Sequence, residues 1–371
     1  MGDRRRIDVE VGATVIEVKR DLRSERIRRD AEEQLAGYVE LRAKQTGLRY
    51  VGILTDGTGW YCYHLVDQGL RQVSDLSLEA DGIERLVVWL EGVLATTHGL
   101  TPTADAIQAR LGATSSSYLL DRATISAIYQ RNKDELSIVM KRTLWARLLT
   151  SALGTQFEDS DDLFIEHTLL VNSAEIIAHA VLGLHPETIT PVARERFDQS
   201  GIYGVVEADF FDWVVEIEEG RVFIRTLSRR LARFDWSAVE QDVLKVLYES
   251  IIGAETRKRL GEYYTPDWLA HIVVEETVDA PLTQRVLDAA CGSGTFLFHA
   301  IRRHIAAAED ADMIVPEQIN GVTRHVIGMD LHPVAVTLAR VTYLLAIGRD
   351  RLIDPARSTI QIPVYLGDSL Q

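Results

Sequence analysis

A glycine-rich turn between an apolar strand pattern and a helix pattern constrains the fold of this chain most strongly. Residues 288–294 read Asp-Ala-Ala-Cys-Gly-Ser-Gly, and a helical pattern follows from Thr295. Because Gly292 and Gly294 lack a Cβ atom, the backbone can approach a ligand closely where amide donors converge at the start of a helix. The turn therefore predicts a ligand site at the end of a strand.

Strand and helix patterns alternate from residue 281 to residue 371, which predicts a parallel, doubly wound sheet of which three strands are present. Acidic residues stand at the three predicted strand ends, namely Asp288, Asp330 and Asp368. A dinucleotide-binding turn would place a further glycine at position 297, which is Leu297 here, so a nicotinamide cofactor is not expected. The three carboxylates suit a cationic amine, a ribose and an exocyclic amino group. S-adenosylmethionine carries all three groups.

Four segments of this region resemble successive motifs of the adenine-N6 DNA methyltransferases: residues 260–266, 288–296, 328–333 and 367–370. Their order is similar to that of gamma-type enzymes, such as type I modification subunits and type IIG proteins. The resemblance implies that Thr265 contacts the cofactor carboxylate and Asp288 its amino group. It likewise assigns the ribose to Asp330 and the adenine to Asp368. The cofactor-binding residues that it implies are Tyr264, Thr265, Pro266, Asp288, Ala290, Gly292, Gly294, Thr295, Phe296, Asp330, Leu331 and Asp368.

The sequence departs from this family at two points. Ala289 stands where the family usually has proline, and no Asn-Pro-Pro-aromatic catalytic loop follows Asp368. The segment 354–357, Asp-Pro-Ala-Arg, lacks the second proline and the aromatic residue. We therefore expect a chain truncated before the catalytic loop that does not methylate DNA alone and that is poorly soluble or needs a partner.

The N-terminal residues 7–19 have a strand pattern interrupted by Gly12-Ala13, which predicts a hairpin. Turning there pairs residue 9 with residue 16 and places Asp8 opposite Glu17. Opposed carboxylates repel unless a cation lies between them, and Lys19 lies on the same face as Glu17. Asp8 and Glu17 are thus candidate Mg²⁺ ligands, with the Lys19 ammonium beside them.

The helix pattern at 24–46 places Gln34 and Tyr38 on one helix face, and strand patterns follow at 49–54 and 60–66. This order resembles the PD-(D/E)xK nuclease module of type I and type IIG restriction proteins. The resemblance implies a Mg²⁺-dependent endonuclease with catalytic residues Asp8, Glu17, Lys19 and Gln34. A degenerate nuclease-like fold and a plain surface hairpin are the alternatives.

These patterns divide the α/β chain into a nuclease-like module at 1–78, a helical connector at 79–240 and a partial methyltransferase domain at 241–371. Within the connector, we expect His167 and the aromatic residues Phe210, Phe211 and Trp213 to belong to the core. A break in the helices is predicted around His185-Pro186 and Thr190-Pro191.

Net charge and cysteine content limit the classes of function that this chain can have. The net charge of −15 argues against a surface coated for nucleic acid, and residues 151–240 carry 7 Arg against 17 Asp/Glu. Two cysteines, Cys62 and Cys291, fit a reducing cytoplasm, and no apolar run is long enough for a membrane span. We expect a restriction-modification polypeptide that acts on double-stranded DNA. The alternative is a non-catalytic, cofactor-binding scaffold subunit of a phage-defence complex whose partner subunits supply catalysis.

Overall fold

The computed structural model describes residues 7–46, 50–66, 69–78, 82–94, 99–153, 157–183, 195–259 and 264–369. The chain forms two compact units. The first consists of Met1–Thr97 with Gln108–Arg131, and the second of His98–Ile107 with Asn132–Gln371. The predicted break at 185–191 and the motif residues 260–263 and 370 lie outside the described residues.

A five-stranded mixed sheet forms the centre of the first unit, in the order β1-β2-β3-β4-β5. Only β2 and β3 are parallel, and helix α1 connects them because a parallel pair needs a crossover. The elements are β1 (Val9–Val11), β2 (Thr14–Val18), α1 (Glu25–Thr46), β3 (Val51–Thr55), β4 (Gly59–Val66) and β5 (Gly69–Ser77). The predicted hairpin is confirmed, since Val9 pairs with Ile16 and Gly12 turns with a φ of +55°.

Both faces of this sheet are covered. Successive residues of a strand point to opposite faces, so Val15 packs in the core with Leu35 of α1, whereas Ile16 packs in the opposite core. The second core contains Trp89 of α2 (Ile83–Leu94) and Leu120 of α4 (Ser116–Asn132). Helices that sequence patterning assigned to the connector thus complete the first unit. The domain boundaries at 78 and 240 stay a prediction.

The second unit is mainly helical. Its central helix is α6 (Asp161–Val181), which is buried along almost its whole length and packs against α15 and α9. Ser160 caps α6 by accepting a hydrogen bond from the Leu163 amide at 3.2 Å. The residues of α3 (Ala104–Leu111) are divided between the two units. The other helices are α5 (Leu136–Leu153), α7 (Glu195–Gln199), α8 (Trp213–Glu216), α9 (Glu218–Leu231), α10 (Val243–Ile251), α11 (Ala254–Arg259), α12 (Asp267–Thr277), α13 (Thr295–Asp310), α14 (Val315–His325), α15 (Pro333–Ile347) and α16 (Arg349–Leu352).

Three short parallel strands carry the glycine turn. They are β7 (Val286–Asp288), β8 (Val326–Asp330) and β10 (Val364–Leu366), and their order in the sheet is β10-β8-β7. Asp288 pairs with Gly328, and Leu366 pairs with Asp330. A separate parallel pair consists of β6 (Ile202–Tyr203) and β9 (Ile360–Gln361). The three predicted strands are confirmed, and their carboxyl ends lie at one edge.

No helix in the described ranges combines the length and the apolar character that crossing a membrane requires.

The contact between α8 and α9 gives a test of the packing. A Cβ atom on Gly220 would lie 1.8 Å from the carbonyl oxygen of Val214, which is a backbone atom that cannot rotate away. We expect Gly220→Ala to destabilise the protein by about 2 kcal/mol or more, because overpacking usually costs about 1–3 kcal/mol. Urea unfolding measures the change. Gly253→Ala is the control because no atom lies within 4 Å of the added Cβ, and equal midpoints for both variants would contradict the observed packing.

Candidate active site

The turn between β7 and α13 needs glycine at both predicted positions. Gly292 and Gly294 have φ values of +55° and +97°, a region that side chains with a Cβ atom rarely adopt. At Gly294 a Cβ atom would also lie 3.3 Å from Cα of Ala339 and 3.4 Å from Cβ of Thr342, both on α15. The turn is therefore tightly packed against α15 on one side.

Asp330, at the end of β8, holds the turn by its carboxylate. Its Oδ2 accepts a hydrogen bond from the Gly292 amide at 2.8 Å, and its Oδ1 accepts one from the His332 amide at 2.8 Å. Its backbone carbonyl accepts a hydrogen bond from the Gly367 amide at 3.0 Å. Asp330 thus connects the turn, the start of α15 and the residue after β10.

Asp288 lies close enough to Asp330 for the two carboxylates to interact. Burial raises the pKa of Asp288, the hydrogen bond from the Ala290 amide at 3.3 Å opposes that shift, and the charge of Asp330 adds to it. A pair of carboxylates at a strand edge favours a cationic group between them. Asp368, two residues beyond β10, is exposed to solvent.

The remaining predicted cofactor-binding residues differ in their contacts and in their exposure to solvent. The Tyr264 ring lies 3.5 Å from the position that a Cβ atom on Gly292 would take. The Thr265 carbonyl accepts a hydrogen bond from the Lys245 ammonium, and Pro266 precedes α12. Ala290 and Leu331 are exposed, Phe296 is half-buried, and Thr295 is buried.

One carboxylate at this site, Asp242, was missed by the sequence analysis. It is buried, with 2% of its surface exposed, and caps α10 by accepting the Lys245 amide at 3.0 Å. Its Oδ2 accepts hydrogen bonds from the Ser293 hydroxyl at 2.7 Å and the Thr295 hydroxyl at 2.9 Å. Its Oδ1 also accepts one from the Thr342 hydroxyl at 3.2 Å.

Burial raises the pKa of Asp242, and the hydrogen bond from Ser293 acts against that shift. An aspartate directly before an apolar helical pattern is a sequence signal for an N-cap, and this signal could have located α10. It could not have shown that the same carboxylate binds the glycine turn about fifty residues later, since that contact exists only in the folded chain.

The N-terminal hairpin and α1 bring three of the four predicted catalytic residues together, namely Glu17, Lys19 and Gln34. Glu17 is buried, and its Oε1 lies 2.5 Å from the Lys19 ammonium. That ammonium also donates to Oε1 of Gln34 at 3.0 Å, and Nε2 of Gln34 donates to the Tyr38 hydroxyl at 3.0 Å. The four side chains form one continuous hydrogen-bonded row along the α1 face of the sheet.

Asp8, the fourth predicted catalytic residue, lies one residue beyond the paired strands, and its Oδ2 accepts the Val18 amide at 2.9 Å. Burial raises the pKa of Glu17, the Lys19 hydrogen bond lowers it, and the Asp8 charge raises it further. The described residues contain no set of three His, Cys, Asp or Glu side chains arranged for a metal ion. Oε2 of Glu17, however, is buried without a hydrogen bond, so one carboxylate oxygen remains for a cation.

His167, Phe211 and Trp213 are core residues, as expected, whereas Phe210 is only half-buried. His167 is fully buried, its Nδ1 accepts a hydrogen bond from Trp145 at 3.3 Å, and burial lowers its pKa. Phe211 and Trp213 are buried and pack beside Phe164.

The Asp242 contacts predict that Asp242→Ala opens the turn. The substitution leaves three buried hydroxyls and one amide without their acceptor, and Cys291, only 6% exposed, lies in the same turn. We expect a thiol reagent to modify Cys291 at least about tenfold faster, a change equivalent to about 1.4 kcal/mol of local opening. Cys62, the other cysteine, is fully buried in the first unit and serves as the internal reference. An unchanged Cys291 rate, or equal acceleration at both thiols, would contradict a local role.

Comparison with solved structures places the chain beside restriction-modification proteins at low similarity. The chain is similar to the protein in a DrdV–DNA complex (TM-score 0.42, 14% identity, 96% of this chain and 33% of that chain). It is also similar to the type IIL restriction-modification enzyme MmeI in complex with DNA (TM-score 0.31, 13% identity, 74% of this chain and 41% of that chain). A third similar structure is the type IIG restriction endonuclease BpuSI (TM-score 0.27, 14% identity, 95% of this chain and 36% of that chain). The chain spans about a third of the DrdV protein, and these TM-scores support no argument about function.

The sequence comparison is more specific. No curated protein matches the chain. Residues 239–354, however, match the family model described as N-6 DNA Methylase. The matched range contains the turn, Asp242, Asp288 and Asp330.

Proposed function

We propose that the domain at 241–371 binds S-adenosylmethionine and contributes to methylation of adenine N6 in double-stranded DNA. The observation that carries the proposal is the Asp330 carboxylate, which accepts the Gly292 amide of the positive-φ turn and lies near a second carboxylate, Asp288. S-adenosylmethionine supplies a methyl group on a cationic sulfur. The residues present fit such a cation, because two carboxylates and a turn with two glycines lie at one sheet edge.

Each side chain has a distinct task in this proposal. Asp288 binds the amino group of the cofactor, Asp330 orients the ribose while it holds Gly292, and Asp368 reaches the adenine. Thr265 binds the cofactor carboxylate in this proposal. The supporting observations are that its carbonyl accepts a hydrogen bond from Lys245 and that the neighbouring Tyr264 ring lies near Gly292. Asp242 has no contact with the cofactor in this proposal. It is a positioning residue that holds the turn by accepting the Ser293 and Thr295 hydroxyls.

We expect Gly294→Val to abolish binding of S-adenosylmethionine. Valine would be strained at a φ of +97° and would also collide with α15, so the turn could not keep its conformation. Isothermal titration calorimetry with the 371-residue chain measures the affinity. Gly253→Val is the matched control in open space and should bind as the wild type does. Equal affinity in wild type and Gly294→Val would show that the turn is not the cofactor site.

We further propose that the domain at 1–78 is a Mg²⁺-dependent DNA endonuclease module of PD-(D/E)xK type. The supporting observation is the row from Glu17 through Lys19 to Gln34, with the buried Oε2 of Glu17 unpaired. Asp8 and Glu17 would hold Mg²⁺, which would supply charge to activate water and stabilise a phosphate. Lys19 places a positive charge beside that position, and Gln34 orients the ammonium.

The nuclease proposal predicts that Asp8→Ala and Lys19→Ala each lower DNA cleavage in Mg²⁺ by about 100-fold or more, as expected when a group that stabilises developing charge is removed. Incubation of the chain with plasmid DNA followed by gel electrophoresis measures cleavage. The control is Asp30→Ala, because Asp30 is exposed on α1. Cleavage that persists in both hairpin variants would place the activity elsewhere. A wild-type chain without cleavage would favour the degenerate nuclease-like fold.

A further inference from the structure

A cavity of about 440 Å³ lies in the second unit, outside the two sites above. Four carboxylates line it: Glu175 from α6, and Glu207, Asp209 and Asp212 from the segment before α8. Most of the remaining wall is apolar, including Met140, Leu144, Phe210, Phe211 and Val336. Carboxylates in an apolar cavity are uncommon, because burying a charge is costly unless it is paired.

Glu175 is the most unusual of the four carboxylates. Its residue is 2% exposed, and its side chain makes no hydrogen bond or ion pair with any residue that the structure describes. The charged groups that act on it, Asp209 and Asp212, have the same sign and raise its pKa in addition to burial. A charged, buried carboxylate without a partner is destabilising by itself, so a cation bound at this cavity wall would stabilise the charged form of Glu175.

Asp209 and Asp212 are arranged by the backbone and not by cations. Oδ1 of Asp209 accepts the Phe211 amide at 2.6 Å, and Oδ2 of Asp212 accepts the Asp209 amide at 3.1 Å. Burial and the neighbouring charge of Asp212 raise the pKa of Asp209 to about 7. Burial also raises the pKa of Asp212, and the charge of Lys141 lowers it.

The basic residues of the wall already have carboxylate partners. The Lys141 ammonium lies 2.8 Å from Oε1 of Glu216. The Arg340 guanidinium lies 2.5 Å from Oε2 of Glu207 and also donates to the Val364 carbonyl at 3.1 Å. Lys141 acts on Asp209 and Asp212 only through its charge. The wall therefore retains more negative than positive charge at Glu175.

The size and lining of the cavity define the class of ligand. A bare metal ion is far smaller than 440 Å³, and the described residues contain no three-residue arrangement for one. We propose that this cavity binds a small organic ammonium ion, with its N–H groups on Glu175 and Asp209 and its apolar body against the Phe210 and Phe211 side. The carboxylates supply charge-assisted hydrogen bonds, and the apolar wall selects for a hydrocarbon body.

This site is separate from the proposed cofactor site, although the two share chain segments. Pro333 and Leu366 line the cavity, and each lies within three residues of Asp330 or Asp368. Competition with S-adenosylmethionine therefore belongs in the test. The proposal does not depend on methyltransferase activity, because its readout is binding alone.

The experiment is calorimetric titration of the 371-residue chain with 2-phenylethylammonium chloride at pH 8. We expect saturable binding that is at least tenfold tighter than that of the neutral 2-phenylethanol, and no competition from S-adenosylmethionine. Glu175→Gln should weaken binding at least tenfold. Glu195→Gln, on the exposed start of α7, is the matched control and should leave binding unchanged.

Affinity for the amine should rise between pH 6 and pH 8, because Asp209 must lose its proton to receive the cation.

A second measurement separates binding from folding. Because the pKa of Asp209 is raised in the folded chain, its stabilising contribution is present at low pH and is lost as pH rises through about 7. Burial and the charges of Asp209 and Asp212 also disfavour a charged Glu175 in the folded chain. Glu175→Gln removes that unfavourable charge, so it should melt at the wild-type temperature or above it at pH 8 while binding the amine more weakly. Absence of binding to wild type, equal affinity in Glu175→Gln, preference for MgCl₂ over the amine, or displacement by S-adenosylmethionine would each overturn the proposal. Asp209→Asn repeats the binding test if Glu175→Gln does not fold.

Discussion

The glycine turn depends on two carboxylates that accept hydrogen bonds from it. Asp330 accepts the Gly292 amide, and Asp242 accepts the Ser293 and Thr295 hydroxyls. A turn with two positive-φ glycines would lose much conformational entropy on folding, so fixed hydrogen bonds are needed to hold it in one conformation. Through these bonds the turn is joined to the start of α10 and to the end of β8, which lie far apart in the sequence.

Buried carboxylates recur in this chain, and their partners differ. Asp242 has hydroxyl and amide donors, Glu17 has an ammonium, and Glu175 has no partner among the described residues. Because a carboxylate is stable in the interior only when donors or cations compensate it, the degree of compensation separates structural from ligand-binding roles. By this criterion Asp242 is structural, whereas Glu17 and Glu175 retain capacity for a further cation.

Local sequence signals predicted the elements but not the contacts between them. The hairpin could be predicted because Gly12 interrupts a strand alternation, and the register of Val9 with Ile16 follows from that turn. The pattern extended the pairing to Asp8, whereas the structure ends it at Val9 because Asp8 caps the Val18 amide instead. Trp89 and Leu120 could not be assigned to the N-terminal sheet from the sequence, since their packing against Ile16 depends on tertiary structure. Asp242 escaped detection for the same reason.

The central claim is that the turn at 288–295, held by Asp330, is the site that receives the cofactor. Hydrogen–deuterium exchange with and without S-adenosylmethionine tests it most directly, because exchange reports on each backbone segment separately. The account predicts slower exchange on adding the cofactor in segments 288–296 and 328–332, and no change in β3 or β4 of the first unit. Protection confined to other segments, or no protection anywhere in the domain at 241–371, would contradict it.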